Sequence, residues 1–412
     1  MKNIIRISFR NLLRSGRRTL LTASLITIGV MFVLIYAALS GSFKAYMVSQ
    51  VTDSMLGHIQ IHKKGYIASV DNLPLDKNLN HKQIDMIKEY LDTNPYIQSY
   101  TFRLKLGAMF SNYTSSTSVR LNGIDPQNET KTLPLFSTRI KDEDVKSLKE
   151  GSIIVPELIT KGMQVKTGDT IVLVATNQSG SVNGLNFKVT GNIEPISGPG
   201  GRDGYIHIKD VKKLLRIKGT EVSEVVIRLH DVKNLKKAMQ LLEPLTKLTN
   251  KKDKPVFEIH TWEKLSPFYN IVKMLDLMDI SIKIILISIV LISVLNVMVM
   301  SVYERIKEIG TIAAMGTTPS TITKLFLTEG LMLGIFGTVL GSILSYIIVF
   351  IINAVGISFS FGRQDDLILN PTLQSGEVLI VGIIVIIISL IASISPAMKA
   401  ARLNPVDALR QN

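Results

Sequence analysis

Four stretches of this chain carry no charged side chain: between Arg18 and Lys44, between Lys283 and Glu304, between Glu329 and Arg363, and between Glu377 and Lys399. Each is long enough to cross about 30 Å of hydrocarbon as a helix, and in lipid the backbone tolerates little else, because every amide needs an internal partner. The runs predict membrane helices at 19–43, 280–303, 325–353 and 378–398. They leave residues 44–279 as one large segment between the first helix and the second, and 354–377 as a short loop between the third and fourth. "AALSGS" near the end of the first run offers small residues of the kind a signal peptidase cuts. Its apolar core of about 20 residues exceeds the ~7–15 of a signal peptide, however, so an uncleaved anchor is expected.

Orientation follows from the flanks. Lys2, Arg6, Arg10, Arg14, Arg17 and Arg18 precede the first run with no acidic residue among them, whereas the loop before the last run sets Arg363 against Asp365, Asp366 and Glu377. Basic flanks stay on the cytoplasmic side, which puts both termini inside and residues 44–279 outside. Lys2, Arg6, Arg10 and Arg14 recur every fourth residue while Ile5, Phe9, Leu12 and Leu13 take another face. That spacing suits either an interfacial helix over 1–18 or a plain topogenic charge cluster. The tail 399–412 carries Lys399, Arg402 and Arg410, in keeping with a cytoplasmic end.

The large segment reads as α/β. "HIQIH", "TSVRLNGI", "DTIVLVAT", "LNFKVTGNI" and "EVVIRL" alternate as strands do; "HKQIDMIKEYLD", "DVKKLLRI" and "DVKNLKKAMQLLEPL" have helical periodicity. Residues 125–150 are poor in apolar periodicity, and "GSIIVPELITKGMQVKTGDTIVLV" then begins a new strand–helix–turn–strand unit, so two lobes are expected with their division in that region. The expected fold is an α-helical membrane protein with four transmembrane helices plus an extracytoplasmic α/β domain of two lobes inserted between helices one and two.

Composition removes whole classes of function. The chain has no cysteine, which excludes disulfides and thiolate metal sites. Its formal charge of +14 is spread without a basic stripe interleaved with aromatics, so nucleic acid is not an expected partner. No glycine precedes a lysine, so a Walker A phosphate loop is absent, and no G-x-S-x-G elbow occurs. "SGPGGRDG" lacks dinucleotide spacing and leads into the strand-like "YIHI". His58 and His62 flank Ile59 and Ile61, so on a strand they share a polar face with Gln60 instead of forming a helical metal pair. No span holds a mid-membrane charge for an ion-coupled relay. Gly330, Gly334, Gly337 and Gly341 line one face of the third span, a surface for close helix approach, expected within the chain.

Between the second and third spans lies "ERIKEIGTIAAMGTT", charged and then apolar, and the chain ends on "PAMKAARLNPVDALR". Both resemble the E-R-x-x-E-I-G-x-x-x-A-x-G segment and basic ending of the MacB-like and FtsX-like permeases of ATP-binding-cassette systems, most closely the lipoprotein-releasing permeases LolC and LolE. The resemblance covers essentially the whole chain. Its weaker external parts are "IVPELITKGMQVKTGDTIVL" and "KVTGNIEPISGPGGRDGYIHIKDVKKLL".

The resemblance implies that residues 304–324 form a cytoplasmic coupling loop docking on a separate ATPase. Glu304, Arg305 and Glu308 would supply charged contacts, Ile309 and Met315 apolar anchors, and Gly310 and Gly316 close approach or a helix stop, with Ala314 also in the contact set. It implies no catalysis and no cofactor in this chain, with ATP and Mg held by the ATPase. It also implies a second permease chain, identical or paralogous, an acylated protein as substrate, a periplasmic carrier and contact with membrane lipids. Leu25, Ile28, Phe32 and Ile35 form a continuous apolar face on the first span suited to lipid tails or to ordinary helix contacts. MacB-like export of peptides, toxins or drugs is the alternative, and FtsX-like signalling to cell-wall hydrolases a second.

Overall fold

The computed structural model describes residues 6–8, 10, 16–141, 148–194, 203–356, 358–361 and 364–404. Helix α1 (Gly16–Val51) comes first. A mixed segment follows: β1 (Ile59–Lys63), α2 (His81–Thr93), β2 (Ile97–Ser111), β3 (Ser116–Ile124), α3 (Pro126–Thr132), β4 (Ile140–Lys141), β5 (Ser152–Pro156), α4 (Glu157–Met163), β6 (Thr170–Thr176), β7 (Val182–Ile193), β8 (Asp203–His207), α5 (Ile208–Leu215), β9 (Glu224–Leu229), α6 (Leu235–Lys247), β10 (Phe257–Thr261) and α7 (Trp262–Leu265). Helices dominate again afterwards, with α8 (Phe268–Glu304), α9 (Ile306–Ala314), α10 (Pro319–Val355), the hairpin β11 (Ser358–Phe361) and β12 (Gln364–Ile368), and α11 (Ser375–Ala401). The chain divides into a unit Met47–Val272 and a unit made of Met1–Tyr46 with Lys273–Asn412.

In the helical unit α1, α8, α10 and α11 are long and apolar enough to cross a membrane. They overrun the charge-free runs at their ends, α8 beginning at Phe268 and α10 at Pro319. At 1.5 Å per residue a helix of 37 residues is roughly 55 Å long, so charge marks where lipid ends, not where the helix does. Ile26, Val30, Val294, Phe326, Val385 and Ala397 belong to its shared core. The third-span glycines act within the chain, as their spacing suggests. A Cβ on Gly330 or Gly334 would strike Ser393 or Ser389 of α11, and one on Gly337 or Gly341 would strike Ile26 or Val30 of α1. One glycine face thus seats two neighbouring helices. Lys44 and Asp276 form an ion pair between α1 and α8.

In the other unit ten strands form one sheet, ordered β10-β1-β9-β2-β3-β8-β5-β7-β4, with β6 bridging β2 and β7. The expected strands and helices are present. Helix α2 begins with a capping box, the Asn80 side chain accepting from the Gln83 amide and the Gln83 side chain from the Asn80 amide. The sequence did not reveal β2, whose 15 residues tie the unit together. Its first half pairs with β9 from Ile97 to Arg103 and its second with β3 from Leu104 to Ser111.

Three cores result. One lies under α2 and α6 and includes Ile59, Ile87, Ile227 and Leu242; a second, with Leu106, Phe110, Ile171 and Leu214, packs α4 and α5; a third gathers Leu133, Phe136, Ile154, Tyr205 and Val226. The division is therefore not at 125–150. β9, α6 and β10 return to the first lobe, so the second is an insertion that opens midway along β2.

The expected polar face of β1 is buried. His58, Gln60 and His62 are each under 4% exposed. The His58 Nδ1 accepts from the Leu229 amide at 2.9 Å, and His62 stacks on Tyr66 and lies 3.5 Å from Glu224. On the same side of the sheet buried Arg103 donates to Glu129 of α3 at 2.8 and 2.5 Å and to Glu224 at 3.1 Å, while Lys105 reaches Glu224 at 2.8 Å. Burial opposes ionisation of Glu224, yet Lys105, His62 and Arg103 outweigh it and hold its carboxyl well below the usual range. Among the described residues no three His, Asp or Glu side chains gather as a metal site.

Candidate functional site

The charged segment that follows the second span does not continue α8. Helix α8 stops at Glu304, Arg305 leaves helical geometry at φ −109°, ψ 16°, and α9 restarts at Ile306. No proline causes this break. Arg305 instead turns its guanidinium onto α10, where Nη1 donates to both oxygens of Glu329 at 2.9 and 3.1 Å. Its Nε donates to Glu308 at 3.1 Å, and the guanidinium lies 5.6 Å from the Phe326 ring centroid. Glu329 is buried, so this bifurcated pair is charge-assisted and largely shielded from water.

Helix α9 is two-sided. Ile306, Ile309 and Gly310 are buried, and Ile309 joins Val302, Ile322 and Phe326 in the core of the unit. Glu304, Glu308, Ala314 and Gly316 are exposed, and Met315 is 74% exposed, an unusual state for a large apolar side chain. Gly316, at φ +90°, donates its amide to Ala313 O at 3.0 Å and ends the helix in a conformation that disfavours a side chain. Pro319 then opens α10 at its first turn.

The anticipated contact residues therefore separate. Arg305, Ile309 and Gly310 hold α9 against its own chain, whereas Glu304, Glu308, Ala314, Met315 and Gly316 form the outward edge. Periodicity alone did not distinguish the two sets.

The first span also has two faces. Ile26, Val30, Val33 and Leu34 are buried, while Leu25, Ile28 and Phe32 are 46%, 45% and 55% exposed and Ile35 is half-buried. The anticipated apolar face is thus turned away from the core of the unit. Near the start of the chain Arg6 and Arg10 are exposed, and buried Ser8 donates from Oγ to Leu325 O at 3.3 Å. Lys2, Ile5, Phe9, Leu12, Leu13 and Arg14 lie outside the described residues, as do 195–202 and the tail from 405 onward.

Glu329 and Phe326, which hold Arg305 in place, are the residues of this candidate site that sequence reasoning missed. The only signal was that Glu329 is the charge closest to the apolar stretch of the third span.

Comparison with known proteins gives these features a context. Residues 19–245, more than half of the chain, match the MacB-like periplasmic core domain, and residues 280–405 match the FtsX-like permease C-terminal domain. The chain is 24% identical over 309 residues to the lipoprotein-releasing system transmembrane protein LolC of Xylella fastidiosa, covering 70% of this chain and 72% of that protein. It is 27% identical over 240 residues to the macrolide export ATP-binding/permease protein MacB of Bdellovibrio bacteriovorus, covering 56% and 35%. Among solved structures it is similar to the periplasmic region of MacB from Actinobacillus actinomycetemcomitans, with a TM-score of 0.35, 16% identity and coverage of 50% and 89%.

Proposed function

Since the chain belongs to the MacB-like and FtsX-like permeases of ATP-binding-cassette transporters, we propose that it releases lipoproteins from the cytoplasmic membrane, driven by a separate ATPase. As such a permease it is a non-catalytic transport subunit, and its family implies a cytoplasmic ATPase and a second permease chain as partners. ATP and Mg would be held by the ATPase.

The observation that carries the reading is the braced end of α9. The Arg305–Glu329 pair and buried Ile309 fix one side of the helix, so that Glu304, Glu308 and Met315 are presented on the other at low entropic cost. In this reading both termini and α9 lie in the cytoplasm, and ATPase closure presses on that edge. The load passes into α8, which is unbroken from Glu304 back to Phe268. Acyl chains would meet α1 at Leu25, Ile28, Phe32 and Ile35, whose exposed surface is wholly apolar. The released protein would pass to a periplasmic carrier.

The similarity to MacB supports a second reading, export of small molecules or peptides taken from the periplasm. A photo-crosslinker at Phe32 in the complete transporter separates the two. Lipoprotein release requires that it capture an acylated protein without ATP and lose it when ATP is added. Capture of phospholipid alone in both states removes that reading and favours export.

A further inference from the structure

Three depressions in the unit Met47–Val272 run into one another. One of about 620 Å³ shares Lys88, Phe102 and Asn128 with a smaller one of about 230 Å³, which in turn shares Asp125 and Ile208 with one of about 850 Å³. Together they make an open groove bordered by α2, α3, α5 and the turn at 148–150. Its floor is apolar, with buried Ile84 and Val222 and half-buried Phe102 and Ile208.

The charges along this groove are unbalanced. Lys88, Lys131, Lys149 and Lys212 line it, and none has a carboxylate within ion-pair distance among the described residues. Lys88 lies over the Phe102 ring at 5.6 Å. Lys212 is half-buried, and burial holds its ammonium below the ordinary lysine value against the pull of Glu221.

The carboxylates beside them are already engaged. Asp125 caps α3 through the Gln127 amide, Asp92 accepts from the Tyr100 hydroxyl at 2.9 Å, and Glu150 accepts from Lys213 and Lys209 at 2.7 and 2.9 Å. Elsewhere on the same unit lysines such as Lys105 and Lys161 are paired with glutamates.

We propose that this groove binds an acidic polypeptide segment of a client protein, its carboxylates on Lys88, Lys131, Lys149 and Lys212 and its apolar side chains on Phe102 and Ile208. A single phosphate would need donors converging on one point. These lysines sit on four separate elements, which suits charges spaced along an extended chain, and the apolar floor between them suits side chains of the same strand. A half-buried ammonium such as that of Lys212 gains most from an incoming carboxylate, because less water screens the pair.

The test uses the full chain in lipid nanodiscs, without ATPase or nucleotide, so that its failure leaves the proposed release function untouched. The probe is a fluorescein-labelled peptide of alternating Glu and Leu, read by anisotropy, beside the same peptide with Gln for Glu. The acidic peptide is expected to bind and to weaken as salt rises. Lys88→Glu with Lys212→Glu, and Lys131→Glu with Lys149→Glu, should each weaken it about tenfold or more, equivalent to ~1.4 kcal/mol. Lys251→Glu with Lys252→Glu changes the charge equally outside the groove and should leave binding within about twofold, since isolated surface charges contribute little. No binding by the wild type, equal binding of the Gln peptide, equal weakening by the control pair, or displacement by millimolar inorganic phosphate would each overturn the proposal.

Discussion

Glu329→Ala should free α9 from its own chain. The mutation leaves Arg305 facing a buried site with no carboxylate from α10, and removing one partner of a buried pair costs about 3–5 kcal/mol. Arg305 retains 14% side-chain exposure and a second partner in Glu308, so the cost falls to the bottom of that range or just below it, about 2–3 kcal/mol. If that loss falls on local opening of α9, the open population rises roughly 30- to 140-fold. The protein has no cysteine, so a single Ile309→Cys, at a position 4% exposed, reports the opening through its maleimide labelling rate. When opening and closing are fast relative to labelling, the rate follows the open population and should rise by the same factor. Arg305→Met with Glu329→Leu replaces the pair by apolar groups of similar length and should restore slow labelling and much of the ATPase stimulation lost in the single variant. A change below about threefold in Glu329→Ala, or a double variant as labile as the single one, would refute the bracing role.

Gly341→Ala should destabilise the helical unit by about 1–3 kcal/mol, because its Cβ would lie 2.7 Å from Val30 Cβ and 2.8 Å from the Thr27 carbonyl. Gly41→Ala, with nothing within 4 Å, should be neutral or stabilising, and thermal unfolding in detergent compares the two. The Glu224 carboxyl titrates lower folded than unfolded, so its contribution is complete above an unfolded value of about 4.3 and is lost as pH falls toward the folded value. Melting temperature should accordingly drop below about pH 4, and less steeply in Glu224→Gln, which starts from a lower stability; parallel profiles would contradict this. A fluorescent protein that matures only in the cytoplasm should light up when fused after Asn412 and stay dark when inserted near Asn177, and the reverse would overturn the orientation.

The sequence by itself determined the membrane architecture, because a run without charge and an unpaired amide in lipid leave the chain only a helix. It also determined most strands and helices of the inserted unit and the glycine face of the third span, since each rests on local spacing, while the segment of α9 stood out by its resemblance to the permease motif. Only the tertiary structure decided what those segments do to one another. β2 escaped notice because its two halves pair with different strands and its pattern of burial changes midway. The polar face of β1 is buried against Tyr66 and Glu224, and on the neighbouring β2 Arg103 meets Glu129 of α3, contacts between residues remote in sequence. For α9 the motif marked a contact segment without showing which residues brace it and which face outward. That choice depends on Glu329, brought to Arg305 from 24 residues away by the turn at Gly316 and the packing of α10, and no local periodicity encodes such a contact.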